Sequence, residues 1–319
     1  MKKLISLLLF VAFIFALASC GKKEDPNHTL SSSVSVGYLQ GTTGLGMAKL
    51  IADVAADEDA NITFRKFDSP VLIMAAIANG SIDFACLPTN AFPKFYSEMN
   101  QSIQLAAINT LGVLYLATNG VSVSSLADLS GKTVYVPEAA PKLVLSYLLE
   151  LYEVEDVTIK KEYDLDTLPN AVASGNVSIA LLPEPKLTVA SSLAAKGGKT
   201  LTVALDLSAL WSARSDEPLV QGALLVSSEF AKENPTAVNE FLKLYRDSIE
   251  FMMDPDNLDA AAEHAVNAGI LANDAVAKSA IPRCNLAFIA GAEMKTAAEG
   301  FFKALNFAVP AGNWYYVEN

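Results

Sequence analysis

The sequence predicts an α/β protein built of two similar lobes, and three observations carry that expectation. Short β-branched runs alternate with helical stretches over most of the chain, the pattern of βαβ units and a parallel sheet. A fifteen-residue segment recurs without a gap 95 residues further on. The 319 residues also exceed what one hydrophobic core comfortably serves.

The alternation begins at residue 34. Strands are predicted at 34–38, 61–66 and 82–87, with helices at 44–56 and 70–79 between them. After residue 130 the same order returns, with strands at 133–136, 157–161 and 177–182 and helices at 141–152 and 168–174. The recurring segment lies inside both halves. Ala76-Ile-Ala-Asn-Gly-Ser-Ile-Asp-Phe-Ala-Cys-Leu-Pro-Thr-Asn90 aligns on Ala171-Val-Ala-Ser-Gly-Asn-Val-Ser-Ile-Ala-Leu-Leu-Pro-Glu-Pro185, with six of fifteen positions identical. Each copy reads as a helix end, a glycine turn, a buried strand and a proline-marked loop. Either the two lobes are equivalent, or both simply reuse the local chemistry of βαβ units. The match of Pro88 to Pro183 favours equivalence, because each follows its strand at the end where α/β sheets place ligands.

Beyond these units Val220-Gln-Gly-Ala-Leu-Leu-Val226 reads as a strand returning to the first lobe, and the remainder turns helical. Asn234-Pro235 has the form of a cap followed by proline at the first helical position. Val238, Phe241, Leu242, Tyr245, Ile249 and Met252 then form one apolar stripe. Asp254-Pro255 starts a further, alanine-rich helix. The expected first lobe is therefore discontinuous, residues 34–115 plus 222–319, and the second spans 116–221.

The N-terminal end carries a different signal. Lys2 and Lys3 precede an apolar run that closes on Leu17-Ala-Ser-Cys20, followed by polar Gly21-Lys-Lys-Glu-Asp25. The run is too short to span a bilayer comfortably, which opposes an uncleaved membrane anchor. The tetrapeptide resembles the lipobox of bacterial lipoproteins. It implies export, cleavage after residues 1–19, lipid on Cys20 and a place in the cell envelope outside the cytoplasm. Residues 20–33 hold no apolar cluster and read as a flexible tether. The mature chain carries 21 basic against 35 acidic residues, a formal charge of −14 that opposes a nucleic-acid partner. With Cys20 committed to lipid, Cys86 and Cys284 remain, either as buried thiols or as a disulfide.

Few residues suit catalysis. His28 falls in the tether and His264 in the helix Ala260-Ala-Ala-Glu-His-Ala-Val266, where a partly exposed helical role is the plain reading. No HxxxH, CxxC, GxSxG or Walker spacing occurs, so no metal site, cofactor or common nucleophile is expected.

Ligand contact is expected instead at the loops. Gly41-Thr42-Thr43-Gly44-Leu45-Gly46 joins the first strand to the first helix. Its glycines permit close backbone approach, and Thr42 or Thr43 can cap the helix. Pro88-Thr89-Asn90 offers a hydroxyl and an amide at the equivalent of Pro183-Glu184-Pro185, which offers a carboxylate, for a cationic or donor-bearing ligand or for the start of the helix that follows. Tyr38 and Trp211 are the aromatic candidates for stacking, with core packing as the alternative. Asp68-Ser69-Pro70 reads as a helix cap.

With those segments in place, the chain resembles the solute-binding proteins of nitrate/taurine-type import systems, the broad group that includes NMT1/THI5-like proteins. The resemblance spans residues 34–319. It rests on Gly41-Thr-Thr-Gly-Leu-Gly-Met-Ala-Lys-Leu50, Asp83-Phe-Ala-Cys-Leu-Pro88, Ala180-Leu-Leu-Pro-Glu-Pro185, Gln221-Gly-Ala-Leu-Leu-Val226 and Ala280-Ile-Pro-Arg-Cys-Asn285. It implies a two-lobed, periplasmic-binding-protein-like fold of type II with the ligand cleft between the lobes. It also implies an ABC permease as partner and a monomeric clamp. Carried over, the family's contacts fall on Tyr38, Gly41 to Leu45, Pro88 to Asn90 and Glu184, with Arg283 as an anion partner. The group's ligands include sulfonates, nitrate, bicarbonate, thiamine precursors and flavins. A cleft short of basic side chains suits a neutral or heteroaromatic ligand better than a naked anion. Two alternatives stand beside transport: a lipoprotein that passes occupancy to a sensor, and an enzyme of menaquinone or pyrimidine synthesis on the same fold. The lipobox opposes a cytoplasmic enzyme.

Overall fold

The computed structural model describes residues 28–137 and 139–318. The first lobe opens with β1 (Val34–Leu39), α1 (Thr42–Leu45), α2 (Ala48–Ala56), β2 (Ile62–Phe67), α3 (Pro70–Ala78), β3 (Phe84–Pro88), α4 (Phe92–Glu98) and β4 (Ile103–Leu111). The second comprises β5 (Leu114–Thr118), β6 (Thr133–Tyr135), α5 (Ala139–Leu151), β7 (Thr158–Lys160), α6 (Leu168–Ser174), β8 (Ile179–Pro183), α7 (Lys186–Lys196), β9 (Thr202–Asp206) and α8 (Leu207–Ser212). The chain returns through β10 (Val220–Ser227) and continues with α9 (Ser228–Glu233), α10 (Pro235–Met253), α11 (Leu258–Asn267), α12 (Asp274–Ala280), β11 (Leu286–Ile289) and α13 (Gly291–Ala304).

The two sheets repeat one plan. The first is ordered β2-β1-β3-β10-β4-β11 and the second β7-β6-β8-β5-β9. In each, the first three strands are parallel and the fourth is antiparallel to both neighbours. That fourth strand, β10 or β5, is the one arriving from the other lobe. The recurring segment supplies the central strands β3 and β8, and the likeness extends past it. Asp83 O accepts the Ser227 N–H at 2.8 Å, and Ser178 O, at the same offset, accepts that of Asn119 at 2.9 Å. Pro88 pairs with Gly222 and Pro183 with Leu114, so both proline-marked strand ends lie beside the points where the chain crosses.

Several local expectations shift. The helix predicted over 44–56 is broken into α1 and α2, because Gly46 is pressed against α10. A Cβ there would stand 2.7 Å from Ile249. The crossings fall a few residues before 115/116 and 221/222, since all of β5 belongs to the second sheet and all of β10 to the first. Ser69 caps α3 through the Leu72 N–H, as its sequence suggests. Asn234 does not cap α10; its Oδ1 accepts a bond from Ser32 Oγ instead.

That last contact belongs to a larger correction. The expected tether of residues 20–33 is packed from His28 onward. His28 and Leu30 are buried, and His28 Nδ1 lies 3.0 Å from Asp57 Oδ2, a bond that holds the Asp57 carboxyl below its usual range. The Asn61 amide exchanges bonds of 2.8 and 2.9 Å with the Leu30 backbone, and the Ser31 N–H donates to Glu240. Residues 1–19 and Cys20 lie outside the described residues.

One apolar cluster runs through both lobes, from Phe92 and Phe302 in the first to Val134, Leu145 and Leu181 in the second. Trp211 of α8 sits at the junction, fully buried, its ring 4.7 Å from Tyr147 and 6.3 Å from Phe301. Helices α2, α10, α11 and α12 cover the remaining face of the first sheet, and α6 and α7 that of the second. The stripe from Val238 to Met252 is wholly buried there.

Two stability measurements follow from this packing. Trp211→Ala should cost about 3–5 kcal/mol in urea unfolding, because it empties a site walled by both lobes; a loss below about 1 kcal/mol would remove Trp211 from the junction. A chain beginning at Val34 should be less stable than one beginning at His28 by about 1.5–3 kcal/mol, the order of burying a leucine. Equal unfolding midpoints would show that the segment adds nothing.

Candidate functional site

The loops expected to contact ligand lie at the strand ends beside the crossings. Gly41 precedes α1 with φ of 95°, a left-handed value suited to glycine, and its N–H donates to Ile270 O. Neither Thr42 nor Thr43 caps α1, whose four residues form too short a helix to gather a useful dipole. Their carbonyls are fastened instead. Thr110 Oγ1 donates to Thr42 O at 3.3 Å, and Asn109 Nδ2 to Thr43 O at 3.0 Å. In a trans peptide the carbonyl and the next N–H point oppositely. The Thr43 N–H is therefore turned away from β4.

Asn109, 1 % exposed, is the centre of a buried network that sequence reasoning missed. Its amide nitrogen also lies 2.9 Å from Tyr245 OH and 3.3 Å from Cys86 Sγ, sharing two hydrogens among three acceptors, and its Oδ1 lies 3.0 Å from Thr110 Oγ1, whose one hydrogen is shared with Thr42 O. Gly222 makes room for it, since a Cβ there would stand 2.3 Å from Asn109 Oδ1. Cys86 and Cys284 are free and buried, and burial pushes the Cys86 thiol up to about 12. The available signal was the polar pair Asn109-Thr110 inside the otherwise apolar run from Leu105 to Leu111.

Both aromatic candidates for stacking prove to be packed. Tyr38 is buried in the apolar cluster on one face of the first sheet, its hydroxyl donates to Ala268 O at 3.0 Å, and burial raises its pKa. A Cβ on Gly44 would touch its ring, so the loop itself closes over the tyrosine. Trp211 is fully enclosed, and its Nε1–H is taken by Glu217 O. Gly44 and Leu45 are buried as well, whereas Gly41, Thr42 and Thr43 stay half-buried. At the second loop Pro88 and Asn90 are half-buried, and Thr89 is fully buried with its Oγ1 unpartnered among the described residues.

Glu184 and Arg283 meet across the lobes. The Glu184 side chain, fully buried at the end of β8, accepts Arg283 Nε–H at 2.6 Å on Oε1 and the Thr188 N–H at 3.2 Å on Oε2. Arg283, from the turn after α12, also donates from Nη2 to Thr188 Oγ1 at 2.7 Å and keeps 39 % of its side chain exposed. Tyr115 of β5 donates to the Arg283 carbonyl, so both ends of this residue are held by the second lobe. Burial raises the Glu184 carboxyl above its ordinary value, and the Arg283 charge opposes that rise. The carboxylate expected to meet a ligand is thus engaged within the chain. A cavity of about 430 Å³ opens beside the same turn, lined by Leu111, Ser208, Met252, Ile281, Pro282 and Asn285. Neither Tyr38, the Gly41–Leu45 loop nor Pro88 to Asn90 lines it.

Solved structures share this architecture. An ABC transporter protein from Parabacteroides distasonis superposes with a TM-score of 0.75 at 20 % identity, covering 91 % of this chain and all of that one. The periplasmic aliphatic sulphonate binding protein of Escherichia coli gives 0.65 at 16 % identity, with 86 % and 88 % covered. The periplasmic nitrate-binding protein of Synechocystis PCC 6803 gives 0.58 at 14 % identity, with 86 % and 81 % covered. No curated protein sequence matches. The fold is the two-lobed, type II periplasmic-binding-protein-like one. The family model described as NMT1/THI5 like matches residues 56–258, well over half of the chain, and the protein belongs to that family.

Proposed function

We propose that this chain is the extracytoplasmic solute-binding component of an ABC-type import system, capturing a small organic molecule between its lobes and delivering it to a permease. The observation that carries this reading is the doubled sheet plan. Two equivalent strand ends, after β3 and after β8, face the same crossing from opposite lobes. Each lobe then supplies half the contacts, and a solute favours the shut state by its differential affinity for it. The sulphonate- and nitrate-binding neighbours support the same role. Within the cleft, Gly41 to Thr43, Pro88, Asn90 and Arg283 keep exposed surface and are the residues we assign to the solute.

We read the protein as a binder and not an enzyme. Its two histidines are placed elsewhere, His28 against Asp57 and His264 against the Phe251 ring. Lipid on Cys20 would hold a monomeric body at the membrane, with the permease as its partner.

The test is thermal unfolding of the chain from His28 against sulfonates, amino acids, thiamine precursors, flavins and nucleobases. A solute at a hundredfold its Kd adds about 2.7 kcal/mol, a rise of several degrees. One chemical class should raise the midpoint, and Asn90→Ala should weaken that solute about tenfold, or about 1.4 kcal/mol. No response from any compound, and no molecule carried through purification, would count against solute capture.

A further inference from the structure

We propose that Glu184 is a specificity-determining residue. Its carboxylate fills, from within the chain, an anion site made by Arg283, the first turn of α7 and the Thr188 hydroxyl, so that the cleft rejects an anionic group there and accepts an uncharged hydrogen-bond acceptor. The inference rests on the solute-capture reading and names the class of solute.

The geometry is that of a bound anion. One carboxylate oxygen takes the guanidinium at 2.6 Å, and the other takes an N–H in the first turn of an eleven-residue helix at 3.2 Å. Fixed positive charge and first-turn N–H groups are the elements that hold carboxylates, sulfonates and phosphates in proteins. Here the anion is covalently supplied by the loop after β8, with its side chain fully buried. Charges of opposite sign cancel, and a second anion brought to Arg283 would meet the Glu184 carboxylate at short range with little water between them.

What Arg283 retains is a set of donors without net charge to offer. Nε and Nη2 are engaged, Nη1 has no partner among the described residues, and 39 % of the side chain is exposed. The remaining N–H groups suit a carbonyl, amide or ring-nitrogen acceptor. Because Glu184 and Thr188 belong to the second lobe and Arg283 to the first, the internal anion also draws the lobes together with no solute present.

Removing the carboxylate should therefore create an anion site. Native protein, Glu184→Ala and the double variant Glu184→Ala/Arg283→Gln are titrated with acetate and with methanesulfonate at constant ionic strength, using chloride as balance, and thermal unfolding is read. The single variant should show a saturable rise of several degrees at millimolar anion. The native protein and the double variant should show none. Should Glu184→Ala fail to fold, Glu184→Ser, whose hydroxyl can still cap α7, carries the same titration. A native protein stabilised as strongly as the variant, or a single variant with no saturable response, overturns the proposal. An anionic solute from the compound panel that stabilises native protein and is lost in Arg283→Gln would overturn it too, while leaving solute capture intact.

Discussion

Each sheet receives its fourth strand from the other lobe, and this exchange constrains everything around it. A strand paired on both sides cannot leave its sheet without breaking two ladders, so β5 and β10 are fixed in their new lobes from their first residues. Relative movement of the lobes is then confined to the short connections between Leu111 and Leu114 and before Val220. Those connections lie beside the ends of β3 and β8, so a small rotation there changes the separation of the loops that follow them. The continuous apolar cluster around Trp211 backs the crossing on one side. The Glu184–Arg283 contact bridges it on another.

These two bridges differ in kind. Apolar packing at Trp211 is non-directional and tolerates small displacements, whereas a carboxylate removed from water must keep its partners or be left uncompensated. Burial lifts the Glu184 carboxyl, and the guanidinium, the Thr188 hydroxyl and the helix amide favour its ionised form. A buried ion pair of this sort contributes little net stability over an apolar replacement, yet separating it is expensive. That asymmetry makes the contact a directional tie between the lobes.

Much of this was legible in the sequence, for identifiable reasons. The offset of 95 residues found both central strands, because buried strand, glycine turn and proline all constrain residue type strongly. Ser69-Pro70 showed its cap because the interaction spans only three residues. Asn234 did not, since its amide is claimed by Ser32, about two hundred positions away, and no local pattern reports such a competitor. Tyr38 and Trp211 illustrate the same limit. An aromatic ring near a strand end fits a cleft or a core equally well until the neighbours that enclose it are known. Glu184 and Arg283 were each read as candidates for a ligand, and their pairing with each other, 99 positions apart, was not legible. The packed stretch from His28 was missed because Leu30 is its one large apolar residue, too few to register as a hydrophobic pattern.

Asn109 connects the crossing to the first loop. Its strand, β4, leads directly into the crossing at Leu111, and its amide holds the Thr43 carbonyl while its oxygen lies where only a glycine at 222 leaves room. Gly222 in turn belongs to β10, the returning strand. The backbone of the Gly41–Gly44 loop is thus tied to β4 by part-buried hydrogen bonds, and β10 leaves room for the Asn109 side chain that makes one of them. A rotation of the lobes beyond Leu111 would carry this loop together with β4. Arg283, on the same lobe as this loop, reaches the second lobe through Glu184 and Thr188.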